Sequence, residues 1–388
     1  MITMFHGNAV RIEKGMVYAD RKFFNGMRLY VENIKTPLTS VHPKLGITEE
    51  VMDGIEIPVS ELGFSIIAID SNEDSKKIDK ELNVVIGNSS LVYGNTYWSN
   101  TRICKKLNIP YVLFLETDIR TQISVNTLHL PNLFRRVART IRIIIQHCTV
   151  EIPAIRSARV LHCNGYPVYN ETRALNKSQL LYFDSRMSLE QIIPKDKLEL
   201  RMESRGNRRI KLLFSGRYEK IKGALDCVKV AVECIRRNLN IELHCFGQGR
   251  LREDMLREVQ LANASDRIFI HDSIPYPELV QRSYEFDIFI CCHVQSDPSC
   301  TYLEAFGAGL PIVGYANRMW QHLSLASKVG FATKIHRPEL VADSISKLIA
   351  NPVCLDSMTH LAREFAMAHT FEHEFSLRTD SLRKALSE

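Results

Sequence analysis

The chain of 388 residues is long enough for two domains, and its 45% hydrophobic and 24% charged residues are ordinary for a soluble globular protein. The formal charge of +6 permits an anionic partner without requiring one, and no aromatic-rich basic motif for RNA or DNA is present, so we expect no nucleic-acid partner. The ten cysteines include no CxxC spacing, and they predict buried thiols in a reducing compartment rather than disulfides or a metal site.

The start of the chain, MITMFHGNAVRIEKG, lacks a long apolar core and predicts no signal peptide. No apolar run approaches the roughly 20 residues that a membrane-spanning helix needs. The sequence therefore predicts a cytoplasmic protein without a transmembrane segment.

Short strands alternate with helices in the first half of the chain. Strands are predicted at 3–10, 38–42, 64–70, 83–87, 111–115, 159–163 and 180–183, and helices at 20–33, 74–82, 98–107 and 131–147. Because the strands are near-continuous apolar runs, with 64–70 predicted as fully buried, this alternation predicts a mostly parallel sheet covered on both faces. Ligands of such sheets bind at the carboxyl ends of the strands. The candidates at such ends are Asn25, Gly26, Gly87, Glu116, Asp118, Asn164 and Gly165.

The helix predicted at 131–147, PNLFRRVARTIRIIIQH, is amphipathic. Arg135, Arg139 and Arg142 share one face at helical spacing, and apolar residues occupy the rest. A basic amphipathic helix can lie on an anionic membrane surface, which would make the protein peripheral at the inner face of the membrane. Alternatively, the helix packs on the core and its arginines form a solvated basic face.

Residues 184–208 are charged and irregular and predict the connection between two domains, at 1–195 and 196–370. The second half then repeats the alternation. Strands are predicted at 209–215, 241–246, 267–271, 287–292 and 311–315, and helices at 223–236, 251–261, 277–282, 300–308, 339–350, 357–369 and 374–387. The predicted fold class is therefore α/β.

The stretch from His293 to Tyr315 combines a strand end, a Ser-Asp-Pro-Ser loop and a helix that opens with small residues. The start of such a helix presents backbone N–H groups and is a site for an anion such as a diphosphate. Residues 301–304, Thr-Tyr-Leu-Glu, also fit a capping box, in which Glu304 only closes the start of the helix. The sequence leaves both interpretations open.

Three further features follow strands of the second half. Gly216 and Arg217 come directly after one strand and Lys222 opens the next helix, so two cations five residues apart can clamp one diphosphate. Residues 247–249, Gly-Gln-Gly, form a glycine-rich turn without the acidic residue of a dinucleotide site. The turn at 274–277, Ile-Pro-Tyr-Pro, can present backbone groups to a base edge. Each feature also has an ordinary interpretation, as a turn with surface charges or as the start of a helix.

The order of these features resembles the donor-binding domain of a known family. The segments GRYEKIKG, FGQGRLREDM, DRIFIHDSIPYPEL and DPSCTYLEAFGAGLPIVGY are similar, in that order, to the large retaining GT-B glycosyltransferase group 1 family, family-four-like. The similarity covers about residues 210–350, and the first half matches mainly in its alternation of strands and helices. It implies two Rossmann-like domains facing a central cleft, with the C-terminal helix, 371–388, packing back onto the first domain.

The resemblance also implies roles for individual residues. Arg217 and Lys222 stand where the family binds the diphosphate of the donor, and Glu304 stands where a glutamate binds the ribose hydroxyls. The implied donor-binding residues are Gly216, Gly247, Pro275, Tyr276, Ser296, Ser299, Cys300 and Thr301. Because the two cations neutralise the leaving diphosphate, the resemblance implies no metal, and no cofactor beyond the donor itself, a UDP-sugar or a GDP-sugar.

Two positions depart from the family pattern. Ser296 stands where the family has a second glutamate that holds the donor sugar, so Gln295, Ser296 or Asp297 takes this role or the sugar is held differently. Glu116 stands where many relatives have a histidine, which leaves the proton acceptor unassigned. The implied catalytic set is Arg217, Lys222, Glu304 and Asp297, and the acceptor side is assigned to Asn25, Glu116 and Asp118.

The resemblance predicts an enzyme that moves a sugar, with retention of configuration, from a nucleoside-diphosphate sugar to a hydroxyl of a glycan or lipid-linked acceptor. Polysaccharide or glycolipid biosynthesis, such as that of lipopolysaccharide, is the expected setting. Two alternatives remain open. The protein is a nucleotide-sugar-binding partner subunit without turnover, as the missing second glutamate indicates, or it is a nucleotide-sugar epimerase on the same fold.

Overall fold

The computed structural model describes residues 1–51, 53–96, 99–128, 130–296 and 298–388. The chain forms two compact units, of which the first consists of residues 1–182 and 372–388 and the second of residues 183–371. The division therefore falls after Tyr182, whereas the sequence placed the limit between two domains after residue 195.

The first unit is built on a parallel sheet. The strands of this unit, in both of its sheets, are β1 (Ile2–Phe5), β2 (Arg11–Glu13), β3 (Met16–Asp20), β4 (Leu38–Pro43), β5 (Gly54–Pro58), β6 (Ser65–Ile69), β7 (Leu91–Gly94), β8 (Tyr111–Leu115), β9 (Val160–Asn164) and β10 (Gln179–Tyr182). Its helices are α1 (Arg21–Ile34), α2 (Ser75–Gly87), α3 (Asn100–Leu107), α4 (Ile119–Thr127), α5 (Leu133–Gln146), α6 (Ile152–Ser157) and α7 (Tyr166–Thr172). The parallel sheet has the order β10-β9-β8-β7-β1-β4-β6, and β2, β3 and β5 form a small antiparallel sheet.

The parallel sheet predicted for the first half is confirmed, but two predicted strands differ. Residues 83–87, predicted as a strand, are the end of α2, in which Leu82 and Ile86 are buried and Val84 is exposed. Burial four residues apart is the period of a helix with one face on the core. The strand in this region is β7, which the sequence did not predict. The strand predicted as buried at 64–70 is present as β6, but it lies at the edge of the sheet and its Ser65 is exposed.

The second unit is built on a second parallel sheet. Its strands are β11 (Ile210–Ser215), β12 (Ile241–Phe246), β13 (Ile268–His271), β14 (Ile288–Cys291), β15 (Ile312–Tyr315) and β16 (Phe331–Thr333). Its helices are α8 (Lys195–Ser204), α9 (Ala224–Arg236), α10 (Arg252–Leu261), α11 (Tyr276–Ser283), α12 (Thr301–Gly307), α13 (Arg318–Ser327), α14 (Pro338–Ile349) and α15 (Pro352–Ala368), and α16 (Phe371–Ser387) ends the chain. The strand order is β13-β12-β11-β14-β15-β16. The predicted elements of this half are confirmed, and α13 and β16 are additional.

The segment 184–208, predicted as irregular, contains α8. Leu198 on this helix is fully buried. The guanidinium of Arg201 donates hydrogen bonds to the carbonyl oxygens of Ala308 (2.7 Å) and Gly309 (2.9 Å), which end α12. Helix α8 is therefore part of the core of the second unit, and Arg201 satisfies backbone carbonyls that the end of α12 leaves without partners in the helix.

A buried carboxylate joins the start of β14 to the segment after α8. Asp287 is fully buried and accepts hydrogen bonds from Arg205 Nε (2.9 Å), Arg208 Nη1 (2.6 Å) and the backbone N–H of Lys211 (2.9 Å). Burial alone would raise the pKa of Asp287, but the bond from Arg208 and the charge of Arg205 bring it below its ordinary value. With these partners the carboxylate of Asp287 stays ionised although it is buried in the core.

Residues 372–388, nearly all of which belong to α16, pack within the first unit. Phe375 lies against Gly26 of α1, where an added Cβ would come within 2.6 Å of the phenyl ring. His162 of β9 shares a hydrogen bond of 2.9 Å with the hydroxyl of Ser381. Because Leu382 is also fully buried, this helix completes the core of the first unit.

The first and last residues of the second unit lie side by side. The ring of Phe183 makes an edge contact with the ring of His369, with centroids 5.0 Å apart. The backbone N–H of Phe371 donates to the carbonyl oxygen of Met187 at 2.8 Å. The chain therefore enters and leaves this unit at one place.

Candidate functional site

The order of strands in the second unit reverses between β11 and β14, which are neighbours in the sheet. In open parallel sheets, ligands bind outside the carboxyl ends of the strands at such a reversal. The loops that follow β11, β12 and β14 therefore define the candidate donor site, and these loops carry most of the predicted donor residues.

Two glycine-containing loops pack directly against each other at this edge. An added Cβ on Gly247 would come within 2.0 Å of the carbonyl oxygen of Gly216. The backbone N–H of Gly216 donates to the carbonyl oxygen of Phe246 at 3.0 Å, and that of Tyr218 donates to Gln248 at 2.8 Å. At Gly247 backbone thus meets backbone and no side chain fits, while Gly216 has a φ of +149° that favours glycine.

The two predicted cations have different surroundings. Arg217 is exposed, and the described residues offer its side chain no hydrogen-bond or ion-pair partner. Lys222 is buried, and its charge contributes, after burial itself, to a pKa of His293 well below the ordinary value. Lys222 therefore lies beside the end of β14, while Arg217 extends from the β11 loop into solvent.

The position of Lys222 depends on Gly223, the residue after it. Gly223 has a φ of +61°, and an added Cβ would lie 2.0 Å from the carbonyl oxygen of Cys292. Only glycine allows the backbone to turn this close to the end of β14 before α9 begins. The backbone N–H of Val294 also donates to the carbonyl oxygen of Ile221 at 3.1 Å. These contacts fix the β11–α9 loop against the loop that leads to α12.

The start of α12 does not form the capping box. Cys300 is the N-cap, with no side-chain hydrogen bond of the capping type among the described residues 298–304. The Ser299 hydroxyl bonds to the hydroxyl of Thr301 at 3.0 Å, and Cys300 Sγ bonds to Asp184 Oδ2 at 3.4 Å. The alternative that Glu304 only caps the helix is therefore wrong.

The carboxylate of Glu304 is held by Arg186, which the sequence did not single out. Arg186 Nη2 and Nε donate to Glu304 Oε1 at 2.6 and 2.9 Å. The Arg186 guanidinium also stacks over the ring of Tyr276, 4.5 Å from its centroid. Both donors reach the same oxygen, so the contacts described for this pair leave Oε2 to other partners.

The pKa shifts of this group follow from its packing. Burial would lower the pKa of Arg186, but the Glu304 carboxylate outweighs burial and raises it. Burial, followed by the charge of Glu304, raises the pKa of Tyr276. The guanidinium of Arg186 and the phenol of Tyr276 therefore keep their protons at neutral pH. Arg186 stays a cation, and Tyr276 beside it stays a hydrogen-bond donor. The phenol donates to Met187 Sδ at 3.3 Å.

A small cavity of about 20 Å³ lies against this group, between the ends of β11 and β14 and helix α11. It is lined by Leu213, Ser215, Tyr276, Leu279, Val280, Ser283, Phe289, Glu304 and Ala305. Tyr276 is the first residue of α11 and Pro275 is its N-cap. The predicted base turn thus lies within reach of Glu304, which the sequence had placed 28 residues further along the chain.

The predicted sugar-binding position has a structural partner. Ser296 Oγ accepts a hydrogen bond from the backbone N–H of Arg318, at the start of α13, at 3.1 Å. Gln295 is buried. Asp297 lies outside the described residues, and its predicted role stays a prediction.

The predicted acceptor residues separate in the first unit. Glu116 and Asp118 line a cavity of about 200 Å³ at the carboxyl end of β8, together with His147, Glu151 and Glu171 on other elements. Asp118 is the N-cap of α4 and accepts from Thr121 N at 2.7 Å, so part of its role is structural. The remaining lining residues are Asn95, Thr96, Phe114, Leu115, Thr117, Ile119, Gln122, Gln146, Ile155, Val168 and Thr172.

Several other predicted strand-end residues lie elsewhere. Asn25 is exposed on α1 and Gly87 ends α2, so neither is at a strand end. Asn164 does end β9, and Gly165 follows it with a φ of +81° as the N-cap of α7. The sequence grouped these residues by order alone, and only part of the group reaches one sheet edge.

The comparison with known families concerns the second unit. Residues 209–351 match the family model described as Glycosyl transferases group 1. This range contains the β11–α9 loop, the two glycine loops, the base turn and Glu304. No curated protein sequence matches the chain.

Solved structures resemble the chain over nearly its whole length. Alr3699/HepE from Anabaena, in complex with UDP, has a TM-score of 0.69 and 12% sequence identity, over 100% of both chains. Sucrose-phosphate synthase from Thermosynechococcus elongatus has a TM-score of 0.66 and 14% identity, over 100% of this chain and 98% of its own. WaaG, a glycosyltransferase involved in lipopolysaccharide biosynthesis, has a TM-score of 0.64 and 12% identity, over 98% of this chain and 99% of its own.

These similarities define the class of fold, which is the GT-B fold with two Rossmann-like domains. The predicted fold class is confirmed. The family match covers the loops of the candidate donor site in the second unit, and the solved structures show the fold of the whole chain.

Proposed function

We propose that the protein transfers a sugar from a nucleoside-diphosphate sugar to a hydroxyl of a glycan or lipid-linked acceptor. One observation carries the proposal. Two glycine-containing loops that pack backbone against backbone, and the cations Arg217 and Lys222, follow neighbouring strands at the reversal of the second sheet. Backbone N–H groups, close approach and positive charge are what a diphosphate requires. The family match over residues 209–351 supports the same conclusion.

In this proposal the second unit binds the donor. Lys222, fixed beside the end of β14, and Arg217, which is free to swing over the ligand, neutralise the two phosphates. Glu304 accepts hydrogen bonds from the ribose hydroxyls through Oε2, while Arg186 occupies Oε1. Pro275, Tyr276 and Gly247 flank the base, and the backbone at Ser299, Cys300 and Thr301 receives phosphate oxygens.

The donor is a UDP-sugar in the first instance, because a structural neighbour, Alr3699/HepE, was crystallised with UDP and with UDP-glucose. A GDP-sugar is the second candidate. No metal takes part, because Arg217 and Lys222 supply the positive charge that a bound cation would otherwise bring. Ten free cysteines, most of them buried, suit the reducing interior of a cell, where such donors are made.

The reaction breaks the bond between the anomeric carbon and the diphosphate oxygen, and it forms a bond from that carbon to the acceptor oxygen. The acceptor proton passes to the departing diphosphate, so no separate base is required. The two cations stabilise the negative charge that develops on the leaving group. Retention of the anomeric configuration belongs to this proposal through the resemblance to the retaining family.

The acceptor binds in the first unit, in the cavity that Glu116 lines. The cavity of about 200 Å³ has room for part of a sugar. Carboxylate and amide side chains surround it, and such groups accept and donate hydrogen bonds to sugar hydroxyls. Glu116 is the proposed acceptor-binding group, with Asp118 held in place as the cap of α4, and Asn25 on α1 is no longer part of this group.

The proposal is tested by measuring the UDP affinity of a variant that lacks the side chain of the exposed Arg217. We expect Arg217→Gln to weaken UDP binding about tenfold or more, since a charge-assisted hydrogen bond is lost, and to leave uridine binding unchanged. Arg236→Gln, which removes an exposed arginine of α9 away from the loops, is the matched control. Calorimetry supplies the affinities, and release of nucleoside diphosphate from UDP-sugars and GDP-sugars supplies the activity. Absence of binding for UDP, GDP and ADP, or equal UDP affinity of Arg217→Gln and the control, refutes the proposal.

A second candidate function is a donor-binding subunit without turnover. The hydroxyl of Ser296 accepts a hydrogen bond from the backbone of Arg318, and this residue stands where a second glutamate is expected. A short side chain with a structural partner is poorly suited to hold the donor sugar. This candidate predicts tight UDP binding with no release of UDP from any sugar donor until a second protein is added.

A further inference from the structure

Helix α5 exposes an apolar stripe to solvent. Six large apolar side chains on this helix are between 42% and 84% exposed, namely Leu133, Phe134, Val137, Ile141, Ile144 and Ile145. In this helix, all of whose residues are described, Ile143 is the single buried residue. The alternative of a core-packed helix is therefore wrong, because the apolar side chains are exposed to solvent as well as the arginines.

The stripe points away from the rest of the first unit. At about 100° per residue, the six side chains fall within an arc of roughly 120° on one side of the helix. The opposite side faces α4. There Arg139 Nη2 donates to Asn126 Oδ1 at 3.0 Å, and Arg136 Nε donates to the carbonyl oxygen of Leu130 at 2.6 Å. The helix is thus held from behind, and its apolar side has nothing of its own unit in front of it.

Two arginines lie beyond one edge of this stripe, on the face that they share with Arg139. Arg135 and Arg142 are exposed, and the described residues offer their side chains no ion-pair partner. From Leu133 to Gln146 the sequence has four arginines and no acidic residue. An apolar face bordered by unpaired positive charge is the pattern of a helix that lies in the headgroup region of a membrane.

We propose that α5 docks the protein on an anionic lipid surface, with the apolar stripe in the headgroup region and Arg135 and Arg142 on lipid phosphates. Charge decides between the possible occupants. A second copy of this face would bring Arg135 and Arg142 of each chain together, four arginines without an acidic residue of α5, which is repulsive. An anionic bilayer offers both the negative charge and an apolar layer. No helix in the described part of the chain is long and apolar enough to cross a bilayer. In this proposal α5 therefore lies on the surface of the bilayer and does not span it.

The location of this surface has a consequence for the acceptor. Gln146, the last residue of α5, and His147 after it line the cavity that contains Glu116. Docking of α5 therefore brings that cavity next to the lipid headgroups. This second step rests on the proposed function, and it selects a lipid-linked acceptor over a free glycan.

The experiment is vesicle sedimentation with two paired variants and a control. Phe134→Ser with Ile141→Ser removes apolar surface, and Arg135→Gln with Arg142→Gln removes charge. The control is Leu261→Ser with Leu325→Ser, which removes two apolar side chains of similar exposure, 76% and 73%, from the second unit. Vesicles of phosphatidylcholine alone are compared with vesicles that also contain phosphatidylglycerol, at low and at high salt.

We expect the wild type and the control to bind the vesicles with phosphatidylglycerol, and to lose much of this binding at high salt. Each arginine near an anionic surface contributes about a factor of five, so the charge variant should bind about 25-fold more weakly. The apolar variant should lose binding at both salt concentrations. UDP binding of every variant should equal that of the wild type, which separates this proposal from the donor site.

Three outcomes overturn the proposal. The first is no binding of the wild type to either vesicle, and the second is equal binding of the variants and the control. The third is a wild-type dimer in light scattering without lipid that the apolar variant abolishes, which would assign the stripe to a second copy of the chain.

Discussion

The pair of Arg186 and Glu304 gives the sharpest prediction. Replacement of Arg186 by alanine removes the partner of a carboxylate that is 12% exposed and removes the cover of the Tyr276 ring. Glu304 keeps its charge but loses two donors to Oε1. The carboxylate then turns toward solvent or toward other donors. Either change disturbs the group that we propose binds the ribose.

The size of the effect follows from the contacts. Hydrogen bonds between charged groups contribute about 1.5–3 kcal/mol, and the stacking on Tyr276 adds about 0.5–1 kcal/mol. Arg186 is 34% exposed, so water recovers part of this energy, and we expect a coupling of about 2 kcal/mol between Arg186 and Glu304. In a unit of this size such a loss lowers the melting temperature by about 4–8 °C.

The assay is a double-mutant cycle in urea with Arg186→Ala, Glu304→Gln and the double variant. The same cycle on Arg282 and Glu278, an exposed pair on α11 with an N–O distance of 3.1 Å, is the control. That pair should couple by no more than about 0.5 kcal/mol. The affinity for UDP relative to 2′-deoxy-UDP is measured in parallel. If Glu304 binds the ribose, both single variants lose most of the preference for the ribose hydroxyl.

Two results refute this reasoning. A coupling no larger than that of the exposed control pair would show that the Arg186 contact contributes nothing specific. A preference for UDP over 2′-deoxy-UDP that survives in Glu304→Gln would remove Glu304 from the ribose site, although Arg186 could still stabilise the fold.

Three further predictions concern the fold around the sites. Gly223→Ala should cost about 2 kcal/mol or more in urea unfolding and weaken UDP binding, because its Cβ meets the Cys292 carbonyl oxygen, whereas Gly206→Ala, with open space around it, should change stability by less than about 0.5 kcal/mol; equal effects of the two would contradict this. Asp287→Asn should cost about 3 kcal/mol or more, because Arg205 and Arg208 lose the fully buried carboxylate that they share, and a smaller loss in chemical unfolding would show that water replaces it. Burial lowers the pKa of His42 from 6.5 to about 4, so the unfolded chain binds a proton that the folded chain excludes, and the stability should fall by about 3 kcal/mol as the pH drops through this range. His42→Gln should flatten this slope in urea unfolding at a series of pH values, and an unchanged slope would assign the acid sensitivity to other groups.

The central strands of the second unit were predictable from the sequence. The strand β11 has buried residues at nearly every position and glycine directly after it, so an apolar run between turn residues marks it. The three-residue strand β16 lies at the edge of the sheet and is partly exposed, and such a strand has no apolar run to detect.

The hairpin of β2 and β3 in the first unit was not predictable from its turn. It turns at Lys14 and Gly15, both with positive φ, and lysine is rarely used at such a position.

The candidate site was predictable only where it depends on local backbone. Gly216 and Gly247 stand out because each directly follows a strand, and Gly223 because it directly precedes α9. Arg186 was not predictable, because its partner lies 118 residues away and it is one of four arginines in the segment 184–208. Of the others, Arg201 satisfies the end of α12, and Arg205 and Arg208 hold Asp287. Which arginine reaches the site is decided by tertiary packing alone.

Because Phe183 meets His369 and Phe371 bonds to Met187, the two ends of residues 183–371 are neighbours. In topological terms the second unit is an insertion within the first unit, whose own sequence is interrupted and resumes with the final helix. A segment with adjacent ends can be excised, expressed separately or exchanged for a homologous module without a change in the distance between the two chain ends that the first unit must join. The first unit lacks that independence. A protein truncated after residue 371 would lack the Ser381 hydroxyl that His162 contacts, and the residues that bury Leu382 would be exposed to solvent.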